Sequence, residues 1–252
     1  CAALGREFRK AFRKLGIEDS VYVYIEDEPS DYTVWVKQAQ GAKWMGLRCT
    51  TAINHCQPEK MATAVGMMDL WIPLWQRFKK PGQFSPEFHR QRKKDDNQIW
   101  LYTCAGANPR ANFGLTNTQV PFLILDSWFR GAEGVMYYGG LYWSHVISRV
   151  KDGTAKDLWK AHSANNPSGS CTFYPDEKGK TIIPSQRAQV FRESFQILKA
   201  LDLLQRRKGR DAIAPLMSTF FAEMDAESDS RFGTNFDGDP ENYHRLKKTL
   251  FE

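Results

Sequence analysis

The chain has 252 residues, 42% of them hydrophobic and 25% charged, and a net charge of +6. That balance excludes a disordered chain and leaves room for one large α/β domain or two small ones around a substantial core. Positive charge by itself suggests nucleic acid or an anionic surface, but the densest runs, Arg90-Gln91-Arg92-Lys93-Lys94 and Arg206-Arg207-Lys208, fall at predicted helix ends, where cations suit the dipole and face solvent, and no nucleic-acid motif accompanies them.

In chain order, Ala2 to Leu15 places Leu4, Phe8, Phe12 and Leu15 at helical spacing, and Gly16 ends that helix. Val21 to Glu26 is an apolar and aromatic run that predicts a strand, closed by Asp27-Glu28-Pro29. Ser30 and Asp31 offer N-caps for a helix through about Gln40, and Lys43 to Thr50 reads as the second strand, followed by a polar loop with Asn54 and His55. Met67 to Leu74 is a third strand. Ser85-Pro86-Glu87 starts a helix, and Gln98 to Cys104 is a fourth strand. A long loop carrying Asn108, Asn112 and Phe113 precedes a helix at about 118–130, and Gly134 to Gly139 is the fifth strand. Residues 151–185 are rich in Gly, Ser, Asn, Pro and Lys and read as a long irregular loop. Helices are expected over Gln186 to Leu204, at about 211–225 and at 240–251.

Strands alternating with crossover helices imply parallel pairing, in either an open doubly wound sheet or part of a (β/α)8 barrel. No Gly-x-Gly-x-x-Gly or P-loop follows any strand, so a nucleotide would lack its phosphate cradle. Polar and aromatic residues stand at nearly every strand's carboxyl end: Asp27, Glu28, Cys49, Trp75, Tyr102 and Tyr138. In a barrel those ends converge on one pocket. The acids after the first strand fit such a pocket, and they also fit a solvated turn.

Five cysteines show neither Cys-x-x-Cys nor zinc spacing, and no His/Asp/Glu cluster has metal spacing, so no metal and no cofactor are expected. Cys49 and Cys56 flank one loop and could pair, although the odd count fits mostly free thiols. No apolar run reaches the ~20 residues of a membrane span, and no signal peptide is visible. The opening at Cys1, directly into a helix, reads as part of a longer chain.

Several stretches together resemble glycoside hydrolase family 123 and its related bacterial domains. Tyr24 to Pro29 is similar to that family's Asp-Glu-Pro segment, Gly134 to Tyr138 to its Gly-Phe-Leu-Tyr-Trp strand, and Tyr142-Trp143 to the aromatic pair that follows. Asp157-Leu158-Trp159 resembles its Asp-Pro-Trp, Cys171 to Pro175 its Gly-x-Leu-x-Tyr-Pro, and Ile183 to Arg187 with Phe191-Arg192-Glu193 its Pro-Ser-x-Arg helix start. Together they span roughly residues 1–205. The departures are Tyr138 for a usual Trp, Ile124 for an Arg four residues before Trp128, and Gln196-Ile197 for Glu-Asp.

The resemblance implies a (β/α)8 barrel represented here by its strands four to eight, over residues 1–150, with 151–252 as a loop and C-terminal helices packed on it. Strands one to three, and an N-terminal β-sandwich, would lie upstream. It implies an extracellular or periplasmic glycosidase of the retaining exo-β-N-acetylgalactosaminidase type, working by substrate assistance through an oxazolinium intermediate on a glycan or glycolipid with a terminal amino sugar. By position, Asp27 would stabilise the acetamido group and Glu28 would be the general acid/base, with Glu26 structural. Tyr102, Tyr138, Trp143, Asn54 and His55 are the candidate substrate contacts. The alternatives are an exo-glycosidase for another sugar and a non-catalytic carbohydrate-binding barrel.

Overall fold

The structure is a computed structural model that describes residues 2–54, 58–75, 86–103, 119–137, 151–153, 172–175, 181–225 and 240–251. Two compact units are distinguished: residues 1–102 with 131–136, and residues 103–130 with 137–252. His55, Tyr138, Trp143, the Asn108–Phe113 loop and the Asp157-Leu158-Trp159 segment lie outside the described residues, as do Cys1, Cys56, Cys104 and Cys171.

The first unit holds a five-stranded parallel sheet of β1 (Val23–Asp27), β2 (Cys49–Ile53), β3 (Leu70–Pro73), β4 (Gln98–Thr103) and β5 (Gly134–Tyr137). Strand order in space equals order in sequence. The helices between them are α2 (Tyr32–Trp44), α3 (Pro58–Thr63) and α4 (Pro86–Lys94), after an N-terminal α1 (Ala2–Lys14). Asp31 caps α2 by accepting from the Thr33 and Val34 amides at 2.9 and 3.2 Å, which satisfies two donors that a helix start leaves unpaired.

The strand expected over Lys43 to Thr50 is displaced. The helix continues through Trp44, Gly46 takes a left-handed φ of 72°, and the strand begins at Cys49. Ala39, Ala42 and Lys43 are sound helix formers, and Gly41 among them costs about 1 kcal/mol without breaking the helix, which ends only where Gly46 turns left-handed. The short helix α3 was not anticipated. The leucine and phenylalanine stripe of α1 does not face a core either: Leu4, Phe8 and Leu15 are 56, 44 and 68% exposed. That helix makes its close approach through Gly5, where a Cβ would stand 2.4 Å from the Met45 carbonyl oxygen.

Register fixes what each sheet face carries. Trp71 pairs with Thr51 and Ile99, and Val23 with Cys49, so these side chains share one face. The helices cover that face: Trp71 packs edge-on against Trp35 of α2 and Phe88 of α4, with centroids at 6.3 and 5.3 Å, and its indole N–H donates to Asn97 at 3.0 Å. Cys49 lies here too, its free thiol buried near the Ala39 and Leu47 carbonyls and pushed by burial up to about 11. Asp69, just before β3, binds Lys43 at 2.6 Å and accepts the Cys49 amide at 2.7 Å, tying α2 to β2. Within the basic run of α4, Arg92 is buried over the Phe88 ring and paired with Asp95 at 2.8 Å, whereas Arg90, Lys93 and Lys94 are exposed.

The opposite face carries Tyr24, Asp27, Thr50, Ala52, Leu70, Ile72, Gln98 and, by alternation, Tyr22, Trp100 and Tyr102. This face is concave. Tyr22 donates to Gln98 at 2.9 Å, joining β1 to β4 across three strand spacings, or about 14 Å in a flat sheet. Side chains standing off a flat sheet would not meet over that span. Trp100 lies directly against β5, and a Cβ built on Gly134 would stand 2.7 Å from its indole. Gly134→Ala is therefore expected to destabilise by about 1–3 kcal/mol in a denaturant titration, the cost of overpacking against a rigid ring. A neutral result would show that Trp100 can move aside.

In the second unit, α5 (Gln119–Phe129) is buried along nearly its whole length and packs on α6 (Gln186–Lys208). Ser185 caps α6, accepting from the Ala188 amide at 3.2 Å. Phe122, Phe129 and Phe220 surround Phe221 of α7 (Ala214–Asp225), and Lys247 of α8 (Pro240–Phe251) pairs with Glu193. Part of the expected irregular loop at 151–185 is regular: β6 (Phe173–Pro175) and β7 (Ile182–Pro184) form an antiparallel pair. Ile182 and Ile183 favour the extended conformation there, which the surrounding turn-rich composition hides.

Candidate active site

The carboxyl end of β1 departs from a regular strand. Tyr24 pairs with Thr50 and Asp27 with Ala52, so β1 takes three steps where β2 takes two. This is a β-bulge, which re-aims side chains and recurs beside active sites. In an unbroken strand, residues three apart point to opposite faces. Here the extra residue puts Tyr24 and Asp27 on the same side, and the Tyr24 hydroxyl donates to Asp27 Oδ1 at 2.7 Å. The Thr51 hydroxyl donates to the Glu26 carbonyl and so occupies a backbone acceptor at the bulge.

Glu28 follows with φ of 47°, a left-handed conformation that costs a non-glycine residue about 1–2 kcal/mol. Its amide donates to the Ala52 carbonyl at 3.1 Å, anchoring the turned backbone to β2. The turn sends the carboxylate over the concave face. Tyr102, from β4, donates to Oε1, and the Asn54 side-chain amide, from the end of β2, donates to Oε2 at 3.2 Å. Three strand ends thus meet on one carboxylate.

Of the expected site residues, Asp27, Glu28, Asn54 and Tyr102 are described, and Glu28, Asn54 and Tyr102 form one hydrogen-bonded group. Asp27 is exposed beside it, with Tyr24 as its partner. Tyr102 is only 3% exposed, so its hydroxyl serves Glu28 while its ring lies in the core. Glu26 has one buried carboxylate oxygen without a hydrogen-bond partner. Tyr138, Trp143 and His55 lie outside the described residues. Among the described residues, no group of three His, Cys, Asp or Glu could hold a metal ion, and no helix is long and apolar enough to cross a membrane.

Tyr24 was not foreseen from the sequence, because alternation sends it away from Asp27 and only the bulge reverses that. Its phenol is held above its ordinary range, first by burial of the hydroxyl and then by the bond to Asp27. It therefore remains a donor at any working pH.

Both partners of Glu28 are reversible. A hydroxyl donates to a carboxylate and accepts from a carboxylic acid, and a side-chain amide can present either its NH2 or its oxygen. Glu28 can thus keep its partners whether or not it carries a proton. That is the property a group needs when it gives up a proton and then takes one back.

No family model matches this chain, and no curated protein matches it in sequence. Among solved structures, it is similar to a family 123 glycoside hydrolase from Clostridium perfringens, a protein described through glycolipid glycan hydrolysis. The two share 14% identity and a TM-score of 0.68, over 99% of this chain and 43% of that one. This chain thus spans less than half of that protein's length. At this identity the likeness is one of fold.

Proposed function

We propose that this chain is the acid-bearing part of a retaining exo-β-N-acetylgalactosaminidase-like glycoside hydrolase. The observation that carries the reading is the bulged and turned end of β1, which presents two consecutive carboxylates over one concave face and supports each with its own donors. Adjacent residues of a regular strand could not do this. The sequential strand order also favours an arc of a barrel over a doubly wound sheet, whose order reverses at a switch point. On this reading residues 1–150 supply strands four to eight of the barrel, and residues 151–252 the helices that follow.

In the proposed reaction, the carbonyl oxygen of the substrate's 2-acetamido group attacks the anomeric carbon. The bond to the leaving oxygen breaks as Glu28 transfers its proton there. Asp27 accepts the acetamido N–H and offsets the positive charge of the oxazolinium ring. Water then attacks the anomeric carbon, the Glu28 carboxylate takes its proton, and the ring reopens with configuration retained. Tyr138, Trp143, Asn54 and His55 are the proposed contacts for a terminal amino sugar on a glycan or glycolipid, and Tyr102 supports Glu28.

An aryl 2-acetamido-β-galactoside and the matching β-galactoside test the proposal. Release is expected from the first alone, because the second lacks the nucleophile. Comparable turnover of both would assign the acids to another glycosidase chemistry. Binding of GalNAc in calorimetry without hydrolysis of either would identify a carbohydrate-binding barrel instead.

A further inference from the structure

We infer that Tyr24 is a positioning residue for the proposed reaction, acting through Asp27: its hydroxyl engages Oδ1 and leaves Oδ2 to receive the acetamido N–H. The inference rests on the reading of Asp27 as the acetamido stabiliser, and it adds a residue that this reading does not contain.

Three observations support it. The bulge in β1 is what brings Tyr24 and Asp27 to one side, so the contact depends on a specific irregularity of the strand. The Tyr24 hydroxyl is held at both ends, donating to Asp27 at 2.7 Å and accepting the Ala52 amide at 3.3 Å. The Ala52 bond fixes the hydroxyl to the neighbouring strand, so the phenol transmits the rigidity of β2 to an otherwise exposed carboxylate. Finally, the ring is 43% exposed, unlike the fully buried Trp35 and Trp71, so packing does not account for a large aromatic at this position.

A carboxylate with both oxygens free rotates about its terminal bond, and a reaction that needs one oxygen on a particular N–H then loses part of its time to unproductive orientations. Engaging Oδ1 removes that freedom. Tyr24 neither gains nor loses a proton during turnover. Its bond to Asp27 is present before substrate binds and persists as the oxazolinium charge develops, so it belongs to the preorganised electrostatics of the site.

The test is a double-mutant cycle of Tyr24→Phe and Asp27→Asn in the intact protein, read with the aryl 2-acetamido-β-galactoside. Tyr24→Phe removes only the hydroxyl and is expected to lower kcat about 10- to 100-fold, the range of one hydrogen bond to a charged group, with KM changed little. In the Asp27→Asn background the same substitution is expected to cost nothing further, because the carboxylate it positions is gone. A structural role for Tyr24 would instead give losses that multiply, accompanied by a lowered melting temperature. Multiplying losses, or a Tyr24→Phe variant with wild-type kcat, would overturn the inference while leaving the hydrolase reading in place. A wild-type protein without activity on that substrate would overturn both.

Discussion

Glu28→Gln is expected to lower kcat on a β-GalNAc substrate with a poor leaving group by about 10²- to 10⁴-fold, the range for a positioned general acid. Glutamine matches the carboxyl group in shape and can still accept from Tyr102, so folding should be retained. The decisive comparison is across leaving groups. A dinitrophenyl aglycone departs without protonation, and on it the first step of the variant should be nearly restored. A loss that is the same for good and poor leaving groups would remove Glu28 from the acid role, and undiminished turnover on both would remove it from the reaction. Asp27→Asn differs in kind: its defect is expected to persist whatever the leaving group, because the proposed oxazolinium intermediate would need its charge offset in every case.

The second large effect concerns the support of that site. Trp71 is fully buried on the helix-covered face, edge-on to Trp35 and Phe88, and hydrogen-bonded to Asn97. Trp71→Ala is expected to cost about 3–5 kcal/mol, the range for emptying an aromatic site, and it also leaves Asn97 without its donor. In a thermal melt that corresponds to a fall of roughly 6–20 °C. A loss below about 1 kcal/mol would contradict the covering of the sheet by α2 and α4.

The sequence was legible where one rule governed a stretch. The strands at Gln98 and Gly134, a helix from Pro86 and the N-cap at Asp31 follow from β propensity, proline placement and N-capping, and the structure has each of them. It misled where two rules competed. Lys43 to Thr50 contains residues that suit a strand, but the helix entering from Asp31 absorbs the weak helix former Gly41 and runs through Trp44 until Gly46 turns left-handed. The stripe of α1 has the helical period of a core face, yet the helix approaches its neighbour through Gly5.

At the candidate site, the acids themselves could be read from the chain, since Asp27-Glu28-Pro29 closes an apolar strand. Their geometry could not. Which side chains share a face depends on register, and a single extra residue in β1 inverts that assignment for Tyr24 relative to Asp27. Nothing in the composition of Val23 to Asp27 marks where the extra residue sits.

The sequential strand order has a consequence for how the site comes into being. Each of the first four strands pairs with the next along the chain, through connections of 16 to 30 residues, so the sheet can grow outward one strand at a time without waiting for distant segments. The contacts that complete the carboxylate cluster are of another kind. Tyr102 must reach Glu28 from β4, 74 residues further along. Asp27 and Tyr24 are local partners and can meet as soon as β1 and β2 pair. Assembly of the two acids is thus expected to be staggered: the first has its partner once the opening pair of strands has formed, and the second gains the Tyr102 bond only after β4 has joined the concave sheet.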